Sequence, residues 1–239
     1  RQMCIRDSFN GDIVPDGVYL KRYGNVLQTP LNDLLNSYTA SYTRDSIRSG
    51  VLPPECEQCA LKEASVGHSR RKFFEDILNP MLKDKEYDYS KNFTDIYFLE
   101  FNMSNICNLK CRMCDGINSS AWVKDDLKLA QNGNPYFRRT DDPEFGYTNK
   151  SEQIIEKLFE DPTPFMNLRY LSIKGGEPYM EPANKKILQK FIDLGVAKNV
   201  TLDWTTNGTI VDEEIQELAR HYGETKSVSY THLRAHETY

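Results

Sequence analysis

Three cysteines stand close together in the run Cys107-Asn108-Leu109-Lys110-Cys111-Arg112-Met113-Cys114. The spacing is C-x3-C-x2-C. A chain-held 4Fe–4S cluster used for electron transfer takes four cysteine thiolates, one per iron. Three thiolates in one short loop can hold three irons and leave the fourth open to another ligand. The loop therefore points to chemistry at a metal cluster rather than to electron storage. The competing reading of the same cysteines is half of a zinc site, with Cys56 or Cys59 as the fourth ligand.

Cys56 and Cys59 form a second, CxxC group. The pair suits an auxiliary iron–sulfur site or a zinc knuckle. Five of the six cysteines fall in these two tight groups. An odd count so clustered fits metal ligation in a reducing compartment better than a disulfide framework, which predicts a cytoplasmic protein.

The two ends read differently from the rest. Met3-Cys4-Ile5-Arg6-Asp7 can be encoded by a DNA segment whose reverse complement encodes Val228-Ser229-Tyr230-Thr231-His232. The ends resemble one transposon-end adapter of sequencing libraries, present in both orientations. Residues 1–8 and 227–239 are accordingly expected to be adapter-like and not native, leaving 9–226 for fold reasoning, with the natural protein cut at both ends.

The formal net charge is −5 over 239 residues. A mildly acidic chain lacks the basic footprint of a general nucleic-acid binder. No apolar run approaches the ~20 residues that cross a membrane, so no membrane association is expected.

The elements that must position these cysteines fall into two parts. In residues 9–92, Phe9–Gln28 is strand-like with turn signals, and Leu31–Ser49 predicts one helix ended by Gly50. Val51-Leu52-Pro53-Pro54 is a rigid link into the CxxC pair, and Arg70–Leu82 predicts another helix. The polar stretch Lys83–Asn92 reads as a boundary. In residues 93–226, Tyr97–Met103 predicts a strand running into the three-cysteine loop. Ser119-Ser120 is the expected cap of a helix reaching Gln131, and Asn132–Asn149 reads as an inserted loop. Then come a helix over Ser151–Glu160, a strand over Leu168–Ile173, a helix over Asn184–Leu194, a strand over Val200–Trp204 and a helix over Asp212–Arg220. Alternating strands and helices predict parallel βα units, whose chemistry gathers at the C-terminal ends of the strands. Three sequence features sit at such ends: the cysteine loop, Gly175-Gly176-Glu177-Pro178 and Thr206-Asn207-Gly208. His68 and His221 read as surface or satisfied histidines, and Arg138-Arg139 as part of a solvated loop.

Taken in this order, those three features resemble the radical S-adenosylmethionine (SAM) superfamily, over about Asp95 to His221. The resemblance implies an α/β fold: a partial (β/α)6 barrel, cut after its third unit and preceded by a small α+β cysteine-containing module. It implies that Cys107, Cys111 and Cys114 hold a 4Fe–4S cluster whose open iron chelates SAM. It also implies SAM contacts from Gly175 and Gly176 through close backbone approach, from Glu177 to the SAM amino group, from Met113 beside the adenine, and from Asn207 to ribose or substrate. Methionine at 113 departs from the aromatic common in the family. Residues 9–92 resemble the end of a SPASM/twitch-type module, carried by Leu31–Ser37, Ile47–Gly50 and Pro54–Cys59. That implies an auxiliary cluster or zinc at Cys56 and Cys59, and a peptide or protein substrate. The partners implied are SAM and a flavodoxin- or ferredoxin-type electron donor. Two readings compete with this one: a non-catalytic zinc-binding interaction module, and an inactive fragment of a radical SAM enzyme.

Overall fold

The computed structural model describes residues 4–7, 10–15, 21–81, 95–132 and 150–229. The inserted loop, the polar boundary and the last ten residues fall outside these.

A single mixed sheet organises the chain. Its strands are β1 (Cys4–Asp7), β2 (Asp12–Val14), β3 (Gly24–Asn25), β4 (Phe98–Asn102), β5 (Tyr170–Lys174), β6 (Thr201–Thr206) and β7 (Glu224–Ser229), in the order β3-β2-β1-β4-β5-β6-β7. β4 through β7 run parallel, and β1 pairs parallel with β4. Only β2 and β3 join antiparallel. The architecture is α/β, as the alternating elements predict.

The register aligns residues into rows across the sheet. Leu99 sits beside Leu171 and Leu171 beside Leu202; Phe101 sits beside Ile173 and Ile173 beside Trp204. Side chains alternate faces along a strand, so these rows share one face. All six are essentially buried. They share a core with Ile154 and Leu158 of α6 (Ser151–Leu158), and with Ile187, Leu188 and Phe191 of α7 (Pro182–Asp193). Each such side chain stabilises by about 1.5–3 kcal/mol relative to exposure. α8 (Glu213–Ala219) packs against α7 and begins where Asp212 accepts a hydrogen bond from the Ile215 amide at 3.0 Å.

The N-terminal part adds α1 (Leu31–Leu35), α2 (Tyr38–Arg48), α3 (Glu57–Val66) and α4 (Arg70–Met81). The single helix expected over Leu31–Ser49 is two. Ser37 breaks it: its hydroxyl accepts from the Ala40 amide at 3.3 Å and starts a new helix. α3 was not foreseen from the sequence. It begins inside the CxxC pair and ends at Gly67, whose φ of +73° suits a residue without a side chain.

The adapter-like ends lie within the sheet: Cys4–Asp7 forms β1, and residues 227–229 complete β7. Ladder pairing uses backbone N–H and C=O groups that every non-proline residue carries, and an open sheet edge accepts any extended segment. The sheet is therefore wider than βα alternation over 9–226 predicts.

Candidate functional site at the strand ends

Residues 103–122 follow β4 as a long irregular loop and lead into α5 (Val123–Gln131). Side chains from its second half staple its first. The Ser120 hydroxyl accepts from the Cys107 amide at 3.1 Å and lies 3.2 Å from the Cys107 carbonyl as donor. The Ser119 hydroxyl donates to the Leu109 carbonyl at 2.6 Å, and the Trp122 indole N–H donates to the Cys111 carbonyl at 3.0 Å. Asn105 donates to the Gly116 carbonyl at 2.6 Å, while the buried Asp126 carboxylate accepts from the Gly116 amide. The two serines thus shape the cysteine loop; α5 has Trp122 at its N-cap and no side-chain cap. Serine satisfies a loop carbonyl as readily as a helix N–H, and sequence alone could not decide between them.

Cys107 and Cys114 are half-buried and Cys111 is exposed, and none of Cys56, Cys59, Cys107, Cys111 and Cys114 is in a disulfide. Among the described residues, no three Cys, His, Asp or Glu side chains converge as ligands of one metal ion. A cluster takes one thiolate per iron, so its ligands need not meet at one point. Three thiols in a stapled loop are a soft donor set that fits iron–sulfur ligation. Cys56 ends a short 3-10 turn (Pro54–Cys56), and Cys59 lies in the first turn of α3, buried. No third described side chain completes a site with them.

The Gly-Gly-Glu turn after β5 presses directly on the cysteine loop. Gly175 (φ +84°) and Gly176 (φ +50°) both adopt left-handed backbone. A Cβ on Gly175 would overlap the Asn102 side chain and come 2.8 Å from the Ser104 carbonyl oxygen. One on Gly176 would overlap the Ile106 carbonyl. Their bareness is thus already required by chain packing, apart from any ligand. The Glu177 amide donates to the Ile106 carbonyl at 2.6 Å.

Glu177 is fully buried. Its Oε1 accepts from the Thr206 hydroxyl at 2.7 Å and the Tyr179 amide at 3.3 Å, and its Oε2 accepts from the Asn207 amide at 2.6 Å. A buried carboxylate with three donors is a clamp between strand ends. Asn207 in turn faces the cysteine loop, its Nδ2 lying 2.9 Å from Asn108 Oδ1 and 3.6 Å from Cys107 Sγ. Met113 is 72 % exposed, leaving its thioether open to a flat partner. The cysteine loop, Glu177 and Asn207 are therefore in direct contact, while Cys56 and Cys59 belong to the separate helical layer.

Sequence reasoning missed the sheet face beside this site. Glu100, Ser172 and Asp203 form one row across β4, β5 and β6. With Lys174 they line a cleft of about 680 Å³, bounded opposite by Lys62 of α3 and Arg70 of α4. Arg70 pairs with Glu100 at 2.9 Å; Lys174 pairs with Asp203 and donates to the Thr205 hydroxyl, both at 3.1 Å. Burial, and then the nearby Asp203 and Glu224 carboxylates, push the Tyr170 phenol well above its ordinary pKa, so it stays a neutral hydroxyl. The signal was present as alternate charged and hydroxyl residues within strands that otherwise read as apolar.

No described helix is long and apolar enough to cross a membrane. Comparison with protein-family models, curated proteins and solved structures finds no match for this chain.

Proposed function

We propose that the chain is a radical SAM protein. The observation carrying this reading is the direct contact of three strand-end segments. The three-cysteine loop after β4, the Gly-Gly-Glu turn after β5 and the Thr-Asn-Gly turn after β6 are joined by Glu177 to Ile106, Asn207 to Glu177 and Asn207 to Cys107. Within this reading β4, β5 and β6 with their following helices are the first units of a partial (β/α)6 barrel, and the helical layer of α1 to α4 is a twitch/SPASM-like module.

Cys107, Cys111 and Cys114 would hold the 4Fe–4S cluster and leave one iron for the amino and carboxylate groups of SAM. When bound, that cluster would supply one-electron reduction of SAM, with the electron from a flavodoxin- or ferredoxin-type donor, the chemistry that would start hydrogen abstraction from substrate. The chain's own residues do the rest. Ser119, Ser120 and Trp122 hold the thiol-bearing loop in shape. Gly175 and Gly176 let the β5 turn close on that loop. Glu177 locks the β5 and β6 turns together, so its part in SAM binding is to fix the wall of the site. Met113 offers a thioether to the adenine. The cleft between the sheet and α3–α4, lined by Glu100, Lys174 and Asp203, is the surface we assign to a polar substrate such as a peptide.

Anaerobic reconstitution with iron and sulfide tests this. The expected product is a brown protein binding about four irons, bleached in Cys107→Ala, that releases 5′-deoxyadenosine from SAM under dithionite. A colourless protein holding stoichiometric zinc would overturn the proposal.

A further inference from the structure

Asn207 has more fixed than its position. Its Oδ1 accepts from the Thr209 backbone amide at 2.9 Å and from the Thr209 hydroxyl at 2.6 Å. A backbone N–H can only donate, so the amide oxygen must face Thr209 and the NH2 must face the other way. On that side stand Asn108 Oδ1 at 2.9 Å and the Cys107 sulfur at 3.6 Å. The Leu109 backbone N–H also donates to this sulfur, at 3.5 Å. Asn108 is itself held, donating through Nδ2 to the Thr209 hydroxyl at 2.8 Å. The Asn207 backbone N–H is held by Glu177. Two N–H groups therefore point at one thiol, and one of them comes from a residue 100 positions away whose orientation is locked on both sides.

We propose that Asn207 is a positioning residue that sets the reduction potential of the cluster through the Cys107 sulfur; this rests on the radical SAM reading above. Hydrogen bonds to ligand sulfur are among the factors that fix the potential of an iron–sulfur cluster. Reduction adds negative charge, part of which resides on the thiolates. A donor aimed at sulfur stabilises the reduced state more than the oxidised one, so it raises the potential. Only the difference between the two states moves the potential, and loss of the donor is expected to change the ratio of reduced to oxidised cluster at a fixed poise by up to about tenfold. For a one-electron couple, tenfold corresponds to about 59 mV. Asn207 is thereby assigned to Cys107 and its metal rather than to the ribose.

The test is a dithionite titration of the reconstituted full chain, followed by the electron paramagnetic resonance of the reduced cluster. Asn207→Asp keeps the shape and the oxygen facing Thr209 but replaces the donor by an anionic acceptor. It is expected to lower the midpoint, with at least tenfold less reduced cluster at the wild-type midpoint. Asn207→Ala is expected to lower it by up to about 59 mV, up to about tenfold less reduced cluster at the wild-type midpoint, and Thr209→Val, which leaves the Asn207 side chain in place, to lower it less. A purely structural role would reduce iron content without moving the midpoint of the clusters that remain. If variants with wild-type iron and sulfide content share the wild-type midpoint, the inference is overturned while the radical SAM reading stands. If the wild-type chain takes up no cluster, that reading falls, and the inference with it.

Discussion

The two faces of the parallel sheet obey different rules. On one, Leu99, Leu171 and Leu202, then Phe101, Ile173 and Trp204, make rows of apolar side chains shared with α6 and α7. On the other, the interleaved rows run Phe98, Tyr170 and Thr201, then Glu100, Ser172 and Asp203. Parallel sheets are ordinarily apolar on both faces because helices cover both. Here the second covering layer, α3 and α4, leaves a cleft, and the face beneath it carries ion pairs. Its aromatic end is packed: Phe74 of α4 meets Phe98 edge-on at 4.6 Å, and Phe98 stacks on Tyr170 at 4.9 Å. The difference separates two jobs. The apolar face holds the strands together, and the polar face lines the cleft with largely buried charged and hydroxyl groups.

Substitutions along the strands can break this division. The largest effect is expected for Leu171→Ala. It empties a fully buried position and should cost about 2–5 kcal/mol, read as a lower urea midpoint with an unchanged slope. Glu100→Ala, one strand over and on the other face, should cost only about 1 kcal/mol. Its partner Arg70 is 33 % exposed and can recover much of its hydration. Smallest is Lys226→Ala on β7, where the ammonium sits 5.9 Å from the Tyr170 ring centroid; a change within about 0.5 kcal/mol is expected. If Glu100→Ala proved as costly as Leu171→Ala, the polar face would be core, and the two faces would not differ in kind.

Much of this is legible in the sequence. The order of strands and helices in the second half followed from apolar periodicity, and the three strand-end segments followed from the order of elements. What escaped was what residues do with a second option. Ser119 and Ser120 could cap a helix or satisfy loop carbonyls, and they do the latter. Ser37 could continue a helix or restart one. Residues 57–66 form a helix although the cysteine pair Cys56 and Cys59 straddles its start. Glu177 could face a ligand or be enclosed, and its enclosure depends on Thr206 and Asn207, about 30 residues on. Glycine at 175 and 176 signalled close approach correctly, but spacing could not say what approaches; the structure supplies Asn102, Ser104 and Ile106.

The enclosure of Glu177 has a thermodynamic consequence. A loop that takes its shape only when metal arrives must lose its conformational freedom at that moment, and affinity falls by the same amount. The cysteine loop is tied instead through Ile106 to Glu177, and through Glu177 to β6, by bonds that form when the sheet forms. Its ordering belongs to folding. If the loop holds the proposed cluster, a chelator should therefore strip it without unravelling the sheet, and a stripped chain should reload without refolding.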